Sequence, residues 1–374
     1  MSRKLASYLI VALIVVAAAI AYLRAHPERT TLSAATSPAK PLIRIGVSPF
    51  QDTLLPIVGQ KKGWYAEEGL DVNISILGWT EVMEALSAGH IDVAINNISA
   101  VVATHGRNPQ IVYWYGTNPF DNGFALMIRP GGKLKTLAQM AATVKDPHEA
   151  VRLTAAQLKG ATVITTGKTD MEQGVAAAAR KAGLDFRKDI RIIDLNPDEG
   201  LALFLRGDGD AYIGGIPQRT RAGKEGMVEM LTGADLGPPP INGFVTTRRF
   251  ASEHQDELLK VLHVWFRTVK YIDTNMDDGA GIVIATLNSQ SGAGFTLEDF
   301  RKFWNNYEHY PASPREVQAL ILDPSGRNYW RSRWDDCNRY FVEIAGTIPH
   351  PIDPAGVFLM EGAQAAYIAK YGAQ

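Results

Sequence analysis

The feature that most constrains the fold is a regular alternation of short apolar segments with amphipathic segments between residues 42 and 214. Strands are predicted at Leu42–Val47, 70–77, 92–96, 110–115, Thr162–Thr165, 190–195 and Ala211–Gly214. Helices are predicted at 56–68, 80–88, 100–105, 171–182 and 199–206, and a longer helical segment at 133–158 is broken at Asp146-Pro147. Strands that alternate with helices predict an α/β protein with parallel sheets.

Glycines mark the ends of the predicted helices. Five of them follow a helical pattern directly, where a left-handed C-cap residue is favoured: Gly69, Gly89, Gly106, Gly183 and Gly207. Beyond Phe244 the pattern becomes largely helical, most clearly at 253–275 and Leu297–Asn306. Two successive α/β units followed by a helical region therefore predict two lobes with a cleft between them.

The N-terminal segment predicts export from the cytoplasm. Arg3 and Lys4 precede an apolar run at 8–23, and Arg24 follows it, which is the layout of a signal peptide or a signal anchor. Residues 31–41 are small, polar and proline-containing, and they are interpreted as a linker. Without residues 1–30 the formal net charge changes from −1 to −4, because four basic residues and one acidic residue are removed.

Composition excludes several classes of function. The chain has 38 Lys and Arg against 39 Asp and Glu, so it lacks the basic excess typical of nucleic-acid binding. Cys337 is the single cysteine of the sequence, which excludes an intrachain disulfide and a cysteine-built metal site. The eight histidines are scattered without a metal-ligand spacing, so no metal site is predicted.

Nucleotide-binding and catalytic motifs fail on spacing. Gly167-Lys168-Thr169 follows a predicted strand, but a phosphate-binding loop would need glycine where Thr162 stands. The glycines at 207 and 209 lack the third glycine of a dinucleotide fingerprint, because Tyr212 occupies that position. No Gly-x-Ser-x-Gly elbow occurs. The sequence therefore predicts no cofactor, no catalytic residue and no enzymatic activity.

An ordered set of short segments resembles a known family. These segments are GWYAEEGLDV at 63–72, EAL at 84–86, IDVA at 91–94, LKGATV at 158–163, RGDGDA at 206–211, and 250–275. The set is similar to the solute-binding proteins of ABC importers for nitrate, sulfonates, taurine and thiamine-pyrimidine precursors. The resemblance covers most of 42–280. It implies a two-lobed type 2 periplasmic-binding-protein fold with a helical C-terminal region, and a ligand in the interlobe cleft.

The resemblance also implies a domain arrangement, a location and partners. Lobe I is expected at 42–118 and 242–374, and lobe II at 119–241, with chain crossings at 115–118 and 236–242. Pro238-Pro239-Pro240 would make the second crossing stiff. The protein is expected to be a periplasmic monomer, free or tethered by its N-terminal segment, that binds a small molecule and delivers it to an ABC permease.

Candidate ligand-binding residues follow from strand ends, because α/β sheets bind ligands beyond the carboxyl ends of their strands. In the first lobe and its crossing they are Phe50, Gln51, Asp52, Thr53, Trp79, Thr80, Asn96, Asn97, Tyr115 and Thr117. In the second lobe they are Thr166, Thr169, Asp170, Asn196, Gly215 and Gln218. Aromatic residues of this set supply apolar walls, and its hydroxyl and amide groups fix the orientation of a ligand.

The ligand's charge is left open by these residues. The helix that starts near Asp170 favours an anion at its N-terminus, whereas Asp52 and Asp170 would repel one. A zwitterionic or amino-bearing ligand reconciles the two, so the expected ligand is an anionic or zwitterionic sulfonate or nitrogen compound. The alternatives are an enzyme of pyrimidine or aromatic precursor metabolism on the same fold, and a membrane-anchored sensory module. The aromatic and basic run at 328–334 is interpreted as a solvated helix with an aromatic core stripe.

Overall fold

Two five-stranded sheets organise the part of the chain that this computed structural model describes, residues 40–326 and 328–374. The predicted export signal at 1–30 and residues 31–39 of the predicted linker lie outside these residues. The chain divides into two units after Lys40, and the elements below all belong to the second unit, Pro41–Gln374. Within the described residues, no helix combines the length and the apolarity that crossing a bilayer requires.

The first sheet combines four early strands with one late strand. Its members are β1 (Leu42–Val47), β2 (Asp71–Ile76), β3 (Val93–Asn97), β4 (Ile111–Pro119) and β10 (Ile241–Thr247). The spatial order is β2-β1-β3-β10-β4. Strand β1 is parallel to β2 and β3, whereas β10 is antiparallel to β3 and β4. The late strand thus returns into the middle of the sheet built by the start of the chain.

The second sheet is built from the intervening residues. Its members are β5 (Ala125–Ile128), β6 (Thr162–Thr165), β7 (Arg191–Asp194), β8 (Ala211–Gly214) and β9 (Val228–Thr232), in the order β7-β6-β8-β5-β9. Strand β6 is parallel to β7 and β8, and β5 is antiparallel to β8 and β9. The two sheets therefore share one topology, a parallel core crossed by one antiparallel strand.

Eighteen helices surround the sheets in the described residues. The first nine are α1 (Leu55–Lys61), α2 (Trp64–Glu67), α3 (Glu81–Ser87), α4 (Ile98–His105), α5 (Leu137–Ala141), α6 (Pro147–Ala156), α7 (Asp170–Lys181), α8 (Phe186–Asp189) and α9 (Pro197–Leu205). The others are α10 (Ile216–Lys224), α11 (Gly233–Leu236), α12 (Arg248–Glu253), α13 (Gln255–Thr274), α14 (Met276–Ser291), α15 (Leu297–Asn306), α16 (Pro314–Val317), α17 (Trp330–Arg339) and α18 (Met360–Tyr371). Helices α16 and α17 continue into π-helical turns at Gln318–Leu322 and Tyr340–Ile344.

The expected α/β class is confirmed, with three corrections. The sheets are mixed rather than parallel, because β10 and β5 run antiparallel to their neighbours. Strands β5, β9 and β10 were not predicted. The helix predicted at 56–68 is two helices, because Gly63 adopts a left-handed φ of 76° between them. Gly106 was predicted to end its helix in the left-handed conformation, but its φ is −59°, so the chain leaves α4 in the right-handed region.

The C-terminal third packs on the first sheet. Helix α13 packs against α1, and α17 packs against α4. Phe358 bridges in parallel to Tyr113 of β4, so the chain between α17 and α18 extends the sheet edge. The aromatic stripe predicted for α17 is present, because Trp330 and Trp334 are buried. The helix is not simply solvated on its other side, however, since Arg333 is 4% exposed.

A close backbone approach joins β10 to β4. Gly243 pairs with Gly116 next to an irregularity in the register. A Cβ atom added to Gly243 would lie 2.0 Å from the carbonyl oxygen of Tyr115, a distance that real Cβ atoms do not show. Since the neighbouring atom is backbone, the strand would have to shift to accommodate any side chain. Glycine at 243 therefore permits the insertion of β10 beside β4.

We expect Gly243→Ala to lower the free energy of unfolding by about 1–3 kcal/mol, because it overpacks a fixed backbone contact. Gly281→Ala is the matched control, since Gly281 lies in α14 with no atom within 4 Å of its added Cβ. That control should leave stability unchanged or raise it by about 0.5–1 kcal/mol. Equilibrium denaturation of the two variants measures the difference. Equal stability of both would contradict the close approach.

Candidate functional site between the two sheets

The loop after β1 holds a buried carboxyl group. Thr53 Oγ1 accepts a hydrogen bond from the Ser48 N–H at 3.2 Å and donates to the Ser48 carbonyl, which closes the loop on itself. Asp52, in the middle of this loop, is 3% exposed. Its hydrogen-bonding partner from β10 is Asn242, whose Nδ2 donates to Asp52 Oδ2. Burial raises the pKa of Asp52 from 3.8 to about 6, against the opposing effect of its hydrogen bonds.

A second buried carboxyl group lies beside the first. Glu308, which follows α15, accepts from Gln51 Nε2 at 2.7 Å, from Asn118 Nδ2 at 3.1 Å and from the Tyr310 hydroxyl. Burial raises the pKa of Glu308 well above its usual range, and the charge of Asp52 raises it further. All three of these partners are neutral, so they satisfy the lone pairs of the carboxylate without cancelling its charge.

Asparagines of the first sheet form a row across three strands. Asn242 of β10 lies opposite Asn97 of β3 on one side and Asn118 of β4 on the other. Asn242 and Asn118 donate to Asp52 and Glu308, as described above. Asn97 caps α4 through a hydrogen bond from the Ala100 N–H to its Oδ1 at 3.1 Å. The row places amide donors at the sheet edge where β3 ends.

The second sheet contributes a third buried carboxyl group. Thr169 caps α7 by accepting from the Met171 N–H, and Asp170 occupies the first position of that helix. In the turn before α7, the Gly167 N–H donates a hydrogen bond to Asp194 Oδ1 at 2.7 Å. Lys168 of this turn has a positive φ of 58°. Burial raises the pKa of Asp170, and the charge of Arg333 opposes this shift.

Helix α17 links both sheets to this site through Arg333. Its Nη2 donates to Gln173 Oε1 of α7 at 2.7 Å, and its Nη1 lies 3.3 Å from Asp336 Oδ2. Gln173 Nε2 in turn donates to the hydroxyl of Ser99 at the start of α4. This chain of contacts joins the first sheet, the second sheet and the C-terminal region.

Two cavities meet at this position. The inner cavity has a volume of about 20 Å³ and is lined by Phe50, Asp52, Trp79, Phe120, Asp170, Met171, Gly215 and Asn242. Its lining comes from loops of both sheets, and the rings of Phe50 and Trp79 meet edge to face at 5.3 Å. The outer cavity has a volume of about 440 Å³, which is the size of a small-molecule site. Trp79 and Asp170 line both cavities.

The outer cavity runs between α3 and α4 of the first sheet and is covered from the second sheet. Its lining from the first sheet includes Thr80, Met83, Glu84, Asn96, Asn97, Ser99 and Arg107. The turn at 167–170 covers it from the second sheet, and Phe341 and Thr347 cover it from the C-terminal region. The arrangement supplies apolar walls, hydrogen-bonding groups and charges of both signs, and it suits capture of a small polar molecule.

Comparison with known proteins identifies the family. The sequence model of the NMT1-like family matches residues 36–287, about two thirds of the chain. The chain belongs to the NMT1-like family. No curated protein sequence matches this NMT1-like protein at a significant level.

Solved structures similar to this NMT1-like protein include periplasmic binding proteins. The aliphatic sulphonate binding protein SsuA from Escherichia coli is 16% identical with a TM-score of 0.65, over 86% of this chain and 92% of that chain. The nitrate-binding protein NrtA from Synechocystis PCC 6803 is 14% identical with a TM-score of 0.56, over 88% and 98%. The alkanesulfonate-binding protein SsuA from Xanthomonas axonopodis pv. citri, bound to MOPS, is 19% identical with a TM-score of 0.56, over 71% and 83%. The resemblance to nitrate- and sulfonate-binding proteins and the periplasmic-binding-protein fold are thereby confirmed.

The structure brings nine of the candidate residues of this NMT1-like protein to the cavities: Phe50, Asp52, Trp79, Thr80, Asn96, Asn97, Thr169, Asp170 and Gly215. Gln51 and Thr53 belong to the same loop as Phe50 and Asp52 but line neither cavity. Gln51 donates a hydrogen bond to Glu308, and Thr53 donates one to the Ser48 carbonyl. Gln218 lies next to Gly215, and its Nε2 donates to Asp198 Oδ1 at 3.0 Å.

Like Gln51, Thr53 and Gln218, four further candidate residues line neither cavity. Tyr115 lies in the core of the NMT1-like protein, where its hydroxyl donates to Gln364 of α18. Thr117 Oγ1 donates to the Asn242 carbonyl at 3.0 Å, and Thr166 Oγ1 donates to the Leu195 carbonyl at 2.9 Å. Asn196 is exposed before α9. The hydroxyl groups of Tyr115, Thr117 and Thr166 therefore all donate to other groups of the protein.

The sequence patterns did not indicate several residues of the site. Asn242 was placed only in a chain crossing, because β10 was not predicted. Glu308 and Arg333 lie in helical regions whose sequence gives no sign of which charged side chain faces inwards. Arg333 belongs to the run at 328–334 that was interpreted as a solvated helix with an aromatic core stripe, and that interpretation did not single out Arg333 as buried.

We expect Asp52→Asn to stabilise the ligand-free protein. Because the folded-state pKa of Asp52 is raised from 3.8 to about 6, the folded carboxyl binds its proton more tightly, and stability is lost as pH rises through this interval. At pH 7.5 the variant should be about 1–3 kcal/mol more stable, and the gain should fall by more than half at pH 4.5. Urea denaturation of the variant and the wild-type protein at both pH values measures this difference in the free energy of unfolding. An equal gain at both would assign the effect to something other than ionisation.

Proposed function

We propose that this protein is the extracytoplasmic solute-binding component of an ABC import system, that it captures a small polar ligand between its two sheets, and that it catalyses no reaction. The observation that carries the proposal is the pair of cavities lined from both sheets, with Asp170 and Trp79 common to both. Membership of the NMT1-like family and the likeness to sulphonate- and nitrate-binding proteins support it. The signal-like pattern at 1–30 supports export.

Buried polar atoms support a ligand at this place. Among the described residues, buried side-chain atoms without a hydrogen-bonding partner include Ser48 Oγ, Gln51 Oε1, Asn97 Nδ2, Thr165 Oγ1, Asp170 Oδ1 and Gln218 Oε1. Four of the six belong to loops or strand ends on the cleft side of the two sheets, and Asp170 and Gln218 lie in the first turns of α7 and α10, which follow β6 and β8. Unpaired buried polar groups are costly, and a polar ligand or ordered water would remove that cost.

We further propose that residues 42–118 and 242–374 form one lobe and 119–241 the other, and that the lobes close on the ligand. The chain passes between the sheets twice, after β4 ends at Pro119 and before β10 begins at Ile241. Two neighbouring crossings of this kind are suited to hinge closure. The loops meet where a Cβ atom at Gly215 would lie 2.6 Å from the ring of Phe50.

A thermal-shift screen of the full chain tests the proposal, with sulfonates, nitrate, amino acids, pyrimidines and polyamines as the solutes. A ligand that binds only the folded state stabilises it by RT ln(1 + L/Kd), where L is the ligand concentration, so Tm should rise with the logarithm of that concentration once it exceeds Kd. A solute converted to product during incubation would favour the enzymatic alternative. The absence of a shift with every class of solute would contradict the proposed function.

We expect Gly215→Ala to weaken binding of any solute found in the screen by about tenfold or more, because its methyl group would hold the Phe50 ring and the facing loop apart. The backbone of Gly215 has φ −74° and ψ −175°, which alanine adopts freely, so folding should be retained. Gly223→Ala in α10 is the matched control, since its added Cβ meets no atom within 4 Å. Unchanged affinity in Gly215→Ala, measured by calorimetry, would place the ligand elsewhere.

A further inference from the structure

We propose that the ligand presents a primary ammonium group to Asp52 and Asp170 in the inner cavity, with the remainder of the ligand in the outer cavity. The inference rests on the proposed function and adds the charge and the size of the group that the site recognises. An ammonium group is a cation, whereas the similar structures are named for binding the anions sulphonate and nitrate. The argument uses the charge of the inner cavity, its unpaired atoms and its volume.

The inner cavity carries acidic groups without a matching base. Its lining includes two carboxyl groups and three aromatic rings, and no Lys, Arg or His. Among residues 40–326 and 328–374, no ion pair includes Asp52, Asp170 or Glu308. Buried carboxylates are stable when a cation neutralises them, and a ligand cation is the partner that the protein itself does not provide.

The unpaired buried atoms next to the inner cavity, Asp170 Oδ1 and Gln218 Oε1, accept hydrogen bonds, whereas the unpaired donor Asn97 Nδ2 lines the outer cavity. Asp170 is 5% exposed, and its Oδ1 has no partner within the described part of the chain. Gln218 Oε1 is likewise unpaired, and it lies 3.3 Å from the position of a Cβ on Gly215, which lines the cavity. The orientation of this amide is fixed, because its Nε2 donates to the carboxylate of Asp198. A primary ammonium group brings three N–H donors and matches such acceptors.

At the inner cavity, the features that would favour an anion are already occupied, whereas the basic side chains Arg107 and Lys168 line the outer cavity. The N-terminus of α7 holds its own carboxyl group, Asp170, within the first turn, and Thr169 caps the Met171 N–H. Arg333 is the buried base whose charge reaches Asp170, but it also donates to Gln173 and pairs with Asp336. An anion in the inner cavity would therefore meet two carboxylates and no free cation of the lining.

The volume of the inner cavity sets the size of the cation. About 20 Å³ is enough for one water-sized group, and a primary ammonium group is of this size. A trimethylammonium group is several times larger and would have to separate Phe50 from Trp79, whose rings meet at 5.3 Å. The aromatic residues Phe50, Trp79 and Phe120 line the cavity, and aromatic rings attract a cation that lies over a ring face. Because Trp79 and Asp170 line both cavities, the body of the ligand continues into the outer one.

Three probes with one alkyl chain test the inference. Calorimetric titration of the full chain at pH 7.5 compares butylamine, its N,N,N-trimethyl derivative and butane-1-sulfonate. Butylamine should bind with a Kd of about 1 mM or below. The trimethyl derivative should bind at least about tenfold more weakly for lack of space, and butane-1-sulfonate should be repelled and show no binding.

Charge-removing variants connect the binding to the two carboxyl groups. Asp52→Asn and Asp170→Asn should each weaken butylamine binding by about tenfold or more, because each removes half of the counter-charge. Asp335→Asn is the control, since Asp335 is an exposed carboxylate of α17 paired with Arg331, and it should leave the affinity unchanged. The Tm of each variant reports whether it is folded, and Asp52→Asn is expected to be the more stable protein without ligand.

The outcomes separate the inference from the proposed function. Preference for butane-1-sulfonate, equal binding of the trimethyl derivative, or butylamine binding that survives both substitutions would overturn the ammonium site. Failure of butylamine to bind would overturn it as well, whichever solute the thermal-shift screen identifies. In each of these cases a solute that raises Tm would still leave the solute-binding function standing. If no solute of any class binds, the proposed function is the part that fails.

Discussion

The row of asparagines across the first sheet is the interaction on which the rest of the site depends. Asn97, Asn242 and Asn118 lie side by side because β10 is inserted antiparallel between β3 and β4. Two of their amides donate to Asp52 and Glu308, which are buried without an ion pair. Since an unpaired buried carboxyl group would otherwise be displaced or permanently protonated, this strand insertion is what makes an acidic site possible.

Ionised, buried carboxyl groups at the site lower the free energy of unfolding, and the rest of the fold offsets this loss. Burial holds the pKa values of Asp52, Asp170 and Glu308 above their usual range, so each ionised carboxyl lowers the stability of the ligand-free protein at neutral pH. Lys168 adds a positive φ in the turn before α7. Costs of this kind persist where function requires them and where the surrounding structure is stable enough. Here the extensive apolar core around both sheets supplies that stability.

The C-terminal region completes the site although the family match ends before it. The match covers residues 36–287, whereas Glu308, Arg333 and Phe341 all follow residue 287. Glu308 reaches the loop after β1, and Arg333 reaches α7 through Gln173. Phe341, in the π-helical turn after α17, covers the outer cavity. The two sheets therefore supply most of the lining of the cavities, and segments after residue 287 complete it.

Sequence patterns predicted the parts of the structure that depend on neighbouring residues. The ranges of β1, β6, β8 and α15 were predicted as observed, because alternating apolar residues and caps act over a few positions. Residues at or after the ends of β1, β2, β3, β6 and β8 line the two cavities, since parallel strands bring their carboxyl ends to one edge. Strand β10 was missed, because its position depends on Gly243 approaching the backbone of β4, a contact across more than a hundred residues.

By itself, the sequence determined the α/β class, the family and the set of loops that carry polar residues. Only the tertiary structure decided which of those residues line a cavity. Asp52 and Asp170 share one cavity, whereas Tyr115 turns into the core and Asn196 into solvent. Glu308, which follows α15, and Arg333, which lies in α17, belong to the site although no local pattern reports their burial. The physical reason is that burial and charge neutralisation are properties of a side chain's surroundings, which distant segments supply.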